Sequence, residues 1–239
     1  MRRDHRPYPL KRAQARLEAA YIQHFVAPHL DALGANPMIM KPWYLKVHGK
    51  GISIGAQPHI VTDRARPVAL TTWDHPEGNG AIAIGDYCLL CPGVRIDSAT
   101  KVQVGANSML AANAYITDAD WHNQYNRSEP VGSTAAVVLE ENTWIGDSAI
   151  VCKGVTIGRN SIIGAGAVVT RSIPANVIAA GNPAQVVREL DRDRDMQTRA
   201  DLLANTERMQ GLQNLEKQLL ADNSWSEWLR TLLNPKRGD

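Results

Sequence analysis

The segment DADWHNQY, residues 118–125, concentrates side chains that can move protons. It places two carboxylates, Asp118 and Asp120, next to Trp121 and His122 without a regular spacing. A neutral imidazole, with a pKa near ~6.5, can take a proton from a hydroxyl group at neutral pH. His122 is therefore a candidate general base. Asp118 or Asp120 then orients the second ring nitrogen or binds substrate hydroxyl groups, and the sequence does not choose between these two residues.

The segment TTWDHPEG, residues 71–78, offers a second candidate base. It contains His75, and the loop that carries it could reach the same site as His122. His75 is therefore the runner-up. The remaining histidines lie outside the strong repeat described next or in loops: His5, His24, His29, His48 and His59.

A repeat of six residues predicts the elements that must position these segments. From residue 139 an aliphatic residue recurs at every sixth position, in the order Leu139, Ile145, Val151, Ile157, Ile163 and Val169. Two shorter blocks precede it, Ile84–Leu90–Ile96 and Val104–Leu110–Ile116, with a weaker start at Ile54. This period matches neither the 3.6 residues of a helix nor the two residues of a plain strand.

A period of six indicates a short strand followed by a tight corner, and three such units close a triangular coil of about 18 residues. The aliphatic residue points into the prism, and the position four residues later is small or branched, as in Ala149 and Ser161. The position after the aliphatic residue is often glycine, as in Gly146, which we expect to adopt positive φ at the corner. Stacked coils then form parallel strands. The fold class is mainly β, a parallel β-helix with helical extensions at both ends.

The repeat divides the chain of 239 residues into three parts. An N-terminal helical extension covers 1–45, with a helix over 8–33 that Gly34 can cap. The β-helix domain covers 46–190, and two loops, 62–79 and 118–136, interrupt it. A C-terminal helical extension covers 191–239. Long loops without secondary structure in a compact repeat are usually functional, which favours both loops as parts of a site.

The composition excludes several classes of protein. A formal net charge of +2 gives no support to a nucleic-acid partner. Aromatic residues make up only 5% of the chain, which suits a narrow interior filled by small and branched side chains. Three cysteines, Cys88, Cys91 and Cys152, do not form a disulfide framework. We expect a cytoplasmic protein without a signal peptide or a membrane span.

The last coils resemble those of a known enzyme family. The stretch that carries the resemblance, residues 142–190, is NTWIGDSAIVCKGVTIGRNSIIGAGAVVTRSIPANVIAAGNPAQVVREL. It is similar to the C-terminal coils of hexapeptide acyltransferases, above all the maltose, galactoside and nodulation-factor O-acetyltransferases. The resemblance extends over roughly 50–190. It implies a left-handed parallel β-helix, a homotrimer with active sites between adjacent prisms, and acetyl-CoA or another acyl-CoA as the donor.

The resemblance also assigns roles to individual residues. His122 stands where the family has its catalytic histidine, although Trp121 and Asn123 replace the usual neighbours and leave the acceptor open. Asp97 lies close to the place of an acceptor-binding carboxylate, and Asp118, Asp120 and Trp121 are further acceptor-side candidates. The residues implied on the donor side, from the thioester arm to the adenosine phosphates, are Trp144, Asp147, Ala165, Thr170, Arg171 and Arg188.

The resemblance therefore predicts direct transfer of an acetyl group to a hydroxyl of a sugar or a sugar-containing acceptor, with bacterial surface polysaccharides as our choice. Three alternatives compete with this function. The acceptor could be an amino group or an antibiotic, or the prism could be a non-catalytic scaffold that uses its helical ends for partners. A γ-type carbonic anhydrase shares this prism but needs three histidines on zinc, and the repeat offers only His122 near the right place. We expect no metal.

Overall fold

The computed structural model describes residues 4–75, 78–128, 130–191 and 193–239. Between residues 32 and 189 the chain forms three sheets, and as far as residue 169 each coil contributes one strand to each sheet in turn. Sheet A contains β1 (Ala32–Leu33), β4 (Ile52–Ile54), β9 (Ile82–Ile84), β12 (Val102–Val104), β15 (Val137–Leu139) and β18 (Thr156–Ile157).

The other two sheets complete each coil. Sheet B contains β2 (Met38–Met40), β5 (His59–Val61), β10 (Leu89–Leu90), β13 (Met109–Leu110), β16 (Trp144–Ile145), β19 (Ile162–Ile163), β21 (Val177–Ala180) and β22 (Gln185–Glu189). Sheet C contains β3 (Leu45–His48), β6 (Val68–Thr72), β11 (Arg95–Ser98), β14 (Tyr115–Thr117), β17 (Ile150–Val151) and β20 (Val168–Val169). A separate hairpin pairs β7 (Asp74–His75) with β8 (Gly78–Asn79).

Strands of successive coils pair in parallel, which confirms the predicted parallel repeat of a mainly β protein. The aliphatic positions stack directly over one another, as Leu90, Leu110 and Ile145 do in sheet B. Every aliphatic residue of the predicted repeat is buried, and so are the small or branched residues four positions later, such as Thr143 and Ser161. Each fully buried Leu or Ile contributes about 1.5–3 kcal/mol, so the stacked rows form the core. The antiparallel strand β22 ends sheet B.

The regular spacing of glycine in the repeat has a different cause from the one we predicted. Gly146 and Gly158 do not have positive φ. A Cβ on Gly146 would lie 2.6 Å from the amide nitrogen of Ala165 in the next coil, so glycine is needed for close approach. Positive φ occurs two residues later, at Ser148 and Asn160, and at the equivalent corner positions Asn107 and Asn142. Asparagine tolerates the left-handed conformation better than most residues, which explains its use at these corners.

The helical N-terminal segment is shorter than we predicted. The helix α1 (Tyr8–Tyr21) continues as a π-helix, Ile22–Val26, and a 3₁₀ turn, Ala27–His29. The strands begin at Ala32, well before residue 46. Gly34 does not cap the helix, because it lies against the backbone of Ala56 in the next coil. A further 3₁₀ turn, Pro42–Tyr44, precedes β3.

The segment 62–79 is not one continuous loop, contrary to our prediction. Its middle part is strand β6, in which Val68, Leu70 and Thr72 are buried and pair with β3 and β11. Residues 62–67 shift this strand out of the six-residue phase, so the repeat does not predict it. Beyond β6, the chain projects from the prism in the hairpin of β7 and β8.

The C-terminal segment forms three helices, α2 (Arg199–Leu203), α3 (Thr206–Leu219) and α4 (Trp225–Leu233). Asn205 caps α3 and Ser224 caps α4 through side-chain hydrogen bonds. The segment contacts the N-terminal residues, since Asn223 donates to the carbonyl oxygens of Asp4 and Arg6. In the part of the chain that the structure describes, no helix combines the length and apolarity of a membrane span.

Candidate active site

The loop that carries His122 is closed at its base by the backbone. The amide of Asp120 donates to Ser133 O (2.9 Å), and the amide of Gly132 donates to Asp120 O (2.7 Å). The amide of Ala135 donates to Asp118 O (2.9 Å). A Cβ on Gly132 would lie 2.5 Å from the carbonyl oxygen of His122, so this glycine lets the two arms of the loop meet. His122 is thereby held beside sheet C, with its side chain exposed.

Asp118 belongs to the fold rather than to the site. Its side chain is fully buried. The carboxylate accepts hydrogen bonds from Ser98 Oγ (2.6 Å), the Ala99 amide (2.7 Å) and the Thr100 amide (3.0 Å), which ties the loop to the preceding coil. Burial of this kind excludes contact with an acceptor hydroxyl, which was one of the roles we predicted for Asp118. These bonds also occupy both of its oxygens.

Asp120 is engaged with Lys153, a residue that sequence reasoning missed. The carboxylate accepts from Lys153 Nζ and from Ser133 Oγ (3.0 Å). The hydrogen bond from Lys153 lowers the pKa of the Asp120 carboxyl. Lys153 follows β17 at the corner after sheet C, one coil beyond His122, and only the stacking of coils reveals this proximity. In the described residues neither Asp118 nor Asp120 forms a hydrogen bond or ion pair with the His122 ring.

A pocket of about 420 Å³ opens beside His122. Two tryptophans meet there, Trp73 from the start of the hairpin and Trp121 from the His122 loop, with ring centroids 5.9 Å apart and planes inclined by 57°. The residues that line the pocket are Trp73, Asp74, His75, Arg95, Asp97, Trp121, His122, Pro130 and Val131. The structure therefore brings together three of the predicted residues, Asp97, Trp121 and His122, as well as the runner-up His75.

Side chains of neighbouring strands of sheet C support this pocket. Arg95 Nε donates to Asp97 (2.6 Å), and the guanidinium lies 4.0 Å from the centroid of the Tyr115 ring. The hydroxyl of Tyr115 accepts from Trp121 Nε1 (3.2 Å), which orients that ring. Trp73 and Arg95 were not predicted. Trp73 lies in a segment that we predicted to be a loop. The contact of Arg95 with Tyr115 follows only from the pairing of their strands, which the sequence alone does not give.

His75 is less suited than His122 to act as the base. Its Nε2 lies 2.9 Å from the carbonyl oxygen of Ala99. A carbonyl oxygen only accepts, so Nε2 carries the proton in this contact. The imidazole of His75 is thereby tied to the coil below it.

The predicted donor-side residues lie on two different parts of the prism. Trp144 is on β16 of sheet B, and Asp147 and Ala165 follow strands of sheet B at the corner that leads to sheet C. Arg188 is on β22 at the end of sheet B. Thr170 and Arg171 follow β20 of sheet C, at the same corner as the His122 loop. All six are exposed, and the 420 Å³ pocket contains none of them.

The cysteines are free thiols in the structure. Burial raises the pKa of the Cys88 thiol to about 12, as expected for an inward-pointing residue of the repeat. Cys91 and Cys152 are also free thiols. Across the described ranges, no group of three or more His, Cys, Asp or Glu side chains is arranged to hold a metal ion.

Comparisons with known proteins identify relatives of this chain. The family model "Bacterial transferase hexapeptide (six repeats)" matches residues 136–171. The galactoside O-acetyltransferase of Lactococcus lactis is 34% identical over 166 residues, which cover 70% of this chain and 66% of that protein. The galactoside O-acetyltransferase of Escherichia coli is 41% identical over 96 residues, which cover 39% of this chain and 47% of that protein. The chain thus spans about half to two thirds of the length of these relatives.

A further relative and one solved structure extend the comparison. A putative lipopolysaccharide biosynthesis O-acetyl transferase of Escherichia coli, WbbJ, is 30% identical over 48% of this chain and 64% of that protein. The crystal structure of AntD, an N-acyltransferase from Bacillus cereus in complex with dTDP and 3-hydroxybutyryl-CoA, superposes with a TM-score of 0.57. It is 17% identical and covers 87% of this chain and 97% of that chain, which shows a shared fold.

Proposed function

The chain carries the hexapeptide repeat of bacterial transferases and is a relative of O-acetyltransferases, and from this premise we propose that it transfers an acetyl group from acetyl-CoA to a hydroxyl group of a sugar-containing acceptor. The observation that carries the proposal is the position of His122. The loop leaves the repeat at one corner and places an exposed imidazole at the edge of a pocket with Asp97 and Trp121.

The chemistry needs a base but no protein nucleophile, because the thioester is already activated. The acceptor oxygen attacks the thioester carbonyl carbon, and its proton passes to His122. The tetrahedral intermediate then breaks the carbon–sulfur bond, and the thiolate of CoA takes the proton back from the imidazolium. General-base assistance of this kind contributes about 10²–10⁴-fold. The rest comes from holding both substrates in reacting positions.

On the acceptor side we propose that Asp97 and Trp121 bind the sugar. Asp97 is held by Arg95, and Trp121 by Tyr115, so both are preorganised before substrate enters. Asp120 is assigned to the support of the loop, through Lys153 and Ser133, rather than to substrate contact.

On the donor side we propose that Trp144, Asp147 and Ala165 border the pantetheine arm, and that Thr170 lies near the adenosine. Arg171 and Arg188 are assigned to the phosphates, because a guanidinium offers several donors to phosphate oxygens. These residues occupy two separate parts of one prism, and a cleft between two copies would let a single CoA contact both sets. We therefore propose a left-handed parallel β-helix that assembles as a homotrimer with shared sites.

Replacing His122 tests the proposal. We expect His122→Ala to lower the rate of CoA release about 10²–10⁴-fold with a saturating sugar acceptor, because the proton acceptor is lost. A thiol-release assay measures the rate, and calorimetric titration with acetyl-CoA should give an unchanged Kd. The matched control is His29→Ala, an exposed histidine at the end of the N-terminal helical segment.

The outcomes separate the parts of the proposal. A His122→Ala variant that transfers at the wild-type rate removes His122 as the base. A wild-type protein that binds no acetyl-CoA at millimolar concentration removes the acyltransferase function altogether. Transfer to amines in place of hydroxyls would keep the mechanism and change the acceptor.

A further inference from the structure

We infer that Trp73 is a specificity-determining residue, and that Trp73 and Trp121 together stack on the apolar face of an uncharged glycosyl residue. This inference rests on the proposed function and names the acceptor more closely. It assigns the hairpin of β7 and β8 to the acceptor site, where sequence analysis had recognised only His75.

The two tryptophans come from two different departures from the repeat. Trp73 follows β6 and Trp121 follows β14, and both strands pair with β11, which lies between them in sheet C. Both rings line the same pocket as Arg95 and Asp97 of β11. A pocket built in this way from two projecting segments is open to an acceptor while its floor belongs to the rigid prism.

The backbone of Trp73 is fixed on both sides. Its amide donates to Ser98 O (2.9 Å), and its carbonyl accepts from the Gly80 amide (3.0 Å). A Cβ on Gly80 would lie 2.1 Å from Ser98 O, so glycine is required where the hairpin returns to the prism. The Trp73 side chain is nevertheless 47% exposed. A large apolar ring that is anchored yet open to solvent favours a ligand-binding role.

Trp121 presents a complementary surface. Its only polar atom, Nε1, already donates to Tyr115 Oη (3.2 Å), so the rest of the ring offers apolar contact. Two rings inclined by 57° form an angular wall, which can contact one face and one edge of a six-membered ring. The C–H groups of a pyranose are suited to such a wall, and Asp97 is placed to accept from its hydroxyl groups.

The charges around the pocket argue for an uncharged acceptor. The guanidinium of Arg95 is already paired with Asp97 at 2.6 Å and lies on the Tyr115 ring. Asp74 adds a second carboxylate. Within the described lining, no arginine or lysine without a partner faces the pocket. A uronic acid, a sugar phosphate or a nucleotide-linked sugar would meet carboxylates there without a compensating cation.

Substitutions of Trp73 with a set of acceptors test the inference. The set consists of a methyl hexoside, the matching methyl hexuronide, an amino sugar and a hexose 1-phosphate, each with saturating acetyl-CoA. We expect the methyl hexoside to be the best acceptor. Trp73→Ala should raise its KM about tenfold with kcat unchanged, because stacking acts on bound substrate and transition state alike. Trp73→Phe should recover most of the loss.

Controls separate this inference from the proposed function. Trp225→Ala, in which an exposed tryptophan of α4 is removed, should leave the acceptor KM unchanged. The KM for acetyl-CoA should stay the same in all variants, and thermal unfolding shows whether they are folded. An unchanged acceptor KM in Trp73→Ala, or a preference for the anionic sugars, overturns this inference alone. Wild-type protein that transfers to none of the four sugars overturns it together with the proposed sugar acceptor.

Discussion

At the residue scale, three acidic side chains near His122 have three different environments. Asp118 is buried under the loop, Asp120 is held by Lys153 at its base, and Asp97 faces the pocket beside Arg95. Asp118 and Asp120 are two positions apart, yet one contacts the coil below and the other the coil above. Position in a stacked coil therefore decides the role of each carboxylate.

The assignment of Asp118 to the fold leads to a stability prediction. Asp118→Ala leaves the amides of Ala99 and Thr100 without their acceptor, whereas the Ser98 hydroxyl can still donate to the carbonyl oxygen of Ala81 (3.0 Å). An unsatisfied buried donor costs about 1–3 kcal/mol, so we expect the free energy of unfolding to fall by about 2–4 kcal/mol. Urea denaturation measures this change.

The control for Asp118→Ala is Asp222→Ala, at an exposed position, where we expect a change within about 0.5 kcal/mol. If Asp118→Ala unfolds like the wild type but transfers acetyl groups poorly, Asp118 acts on the chemistry and our structural assignment is wrong.

The residues of the site were only partly predictable from the sequence. Three residues that line the pocket could be named from the sequence: His122 and Trp121 lie where the repeat breaks, and a family resemblance marks Asp97. Trp73, Arg95 and Lys153 could not, because their proximity to His122 arises from strands that pair across coils. The structural role of Asp118 was equally hidden. Its hydrogen-bond donors lie about one coil earlier in the chain, so the sequence does not show that they meet.

At the element scale, the six-residue repeat predicts which side chains face inward, but it does not predict the backbone conformation at the corners. Burial of a side chain follows directly from its place in the period, as Leu110 and Ile145 show. The reason for a glycine does not follow from its place in the period. Close approach between coils, as at Gly146, and positive φ both favour glycine, so the sequence does not distinguish them. Strand β6 was missed because 62–67 shift its phase, although Val68, Leu70 and Thr72 alternate with half-buried positions.

An ion pair braces the loop that carries His122 in addition to its backbone hydrogen bonds, which gives a prediction for Lys153. Its ammonium contacts the Asp120 carboxylate and Ser133 Oγ, so it joins both arms of the loop. We expect Lys153→Met to lower kcat about 10- to 100-fold, because a small displacement of a base is costly. Thermal stability should change little, since partly exposed ion pairs contribute about 0–1 kcal/mol. Lys153→Arg should restore most of the activity.

The same variant has a defined pH signature. Lys153 lowers the folded-state pKa of Asp120. The carboxylate's contribution to loop closure is therefore present above the ordinary carboxyl range and is lost as the pH falls through the lowered pKa. In Lys153→Met the pKa of Asp120 should rise towards its ordinary value, as NMR titration of the side-chain carboxyl can show. A variant with an unchanged Asp120 pKa and unchanged kcat would leave Lys153 without a positioning role.

At the scale of the whole molecule, the helical segments at the two ends of the chain contact each other. Lys11 of α1 pairs with Glu216 of α3, and Asn223 donates to the backbone near Asp4. Arg199 Nε donates to the carbonyl oxygen of Tyr87 on the prism (2.7 Å), which attaches the start of α2. These contacts join both ends to one another and to the prism within a single chain. Exposed apolar residues remain on α4, including Trp225 and Leu233.

The separation of the donor-side residues on the prism leads to the final prediction. His122 lies at the corner after sheet C, whereas Ala165 lies at the corner between sheets B and C. If one site combines His122 of one copy with Ala165 of the next, two inactive variants can complement each other. His122→Ala removes the base, and Ala165→Trp fills the path of the pantetheine arm. Each variant alone should be inactive.

Mixed assemblies of the two variants distinguish a shared site from one within a single chain. In trimers formed at random from equal amounts of both, about a quarter of the interfaces contain the intact halves of both copies, so we expect about a quarter of the wild-type activity. Light scattering establishes the size of the assembly, and a mixture of His122→Ala with His122→Gln serves as the control, since neither can supply the base. A mixture of the first pair that forms trimers but stays inactive would place the whole site within one prism, because copies that each lack one half could then never complete it.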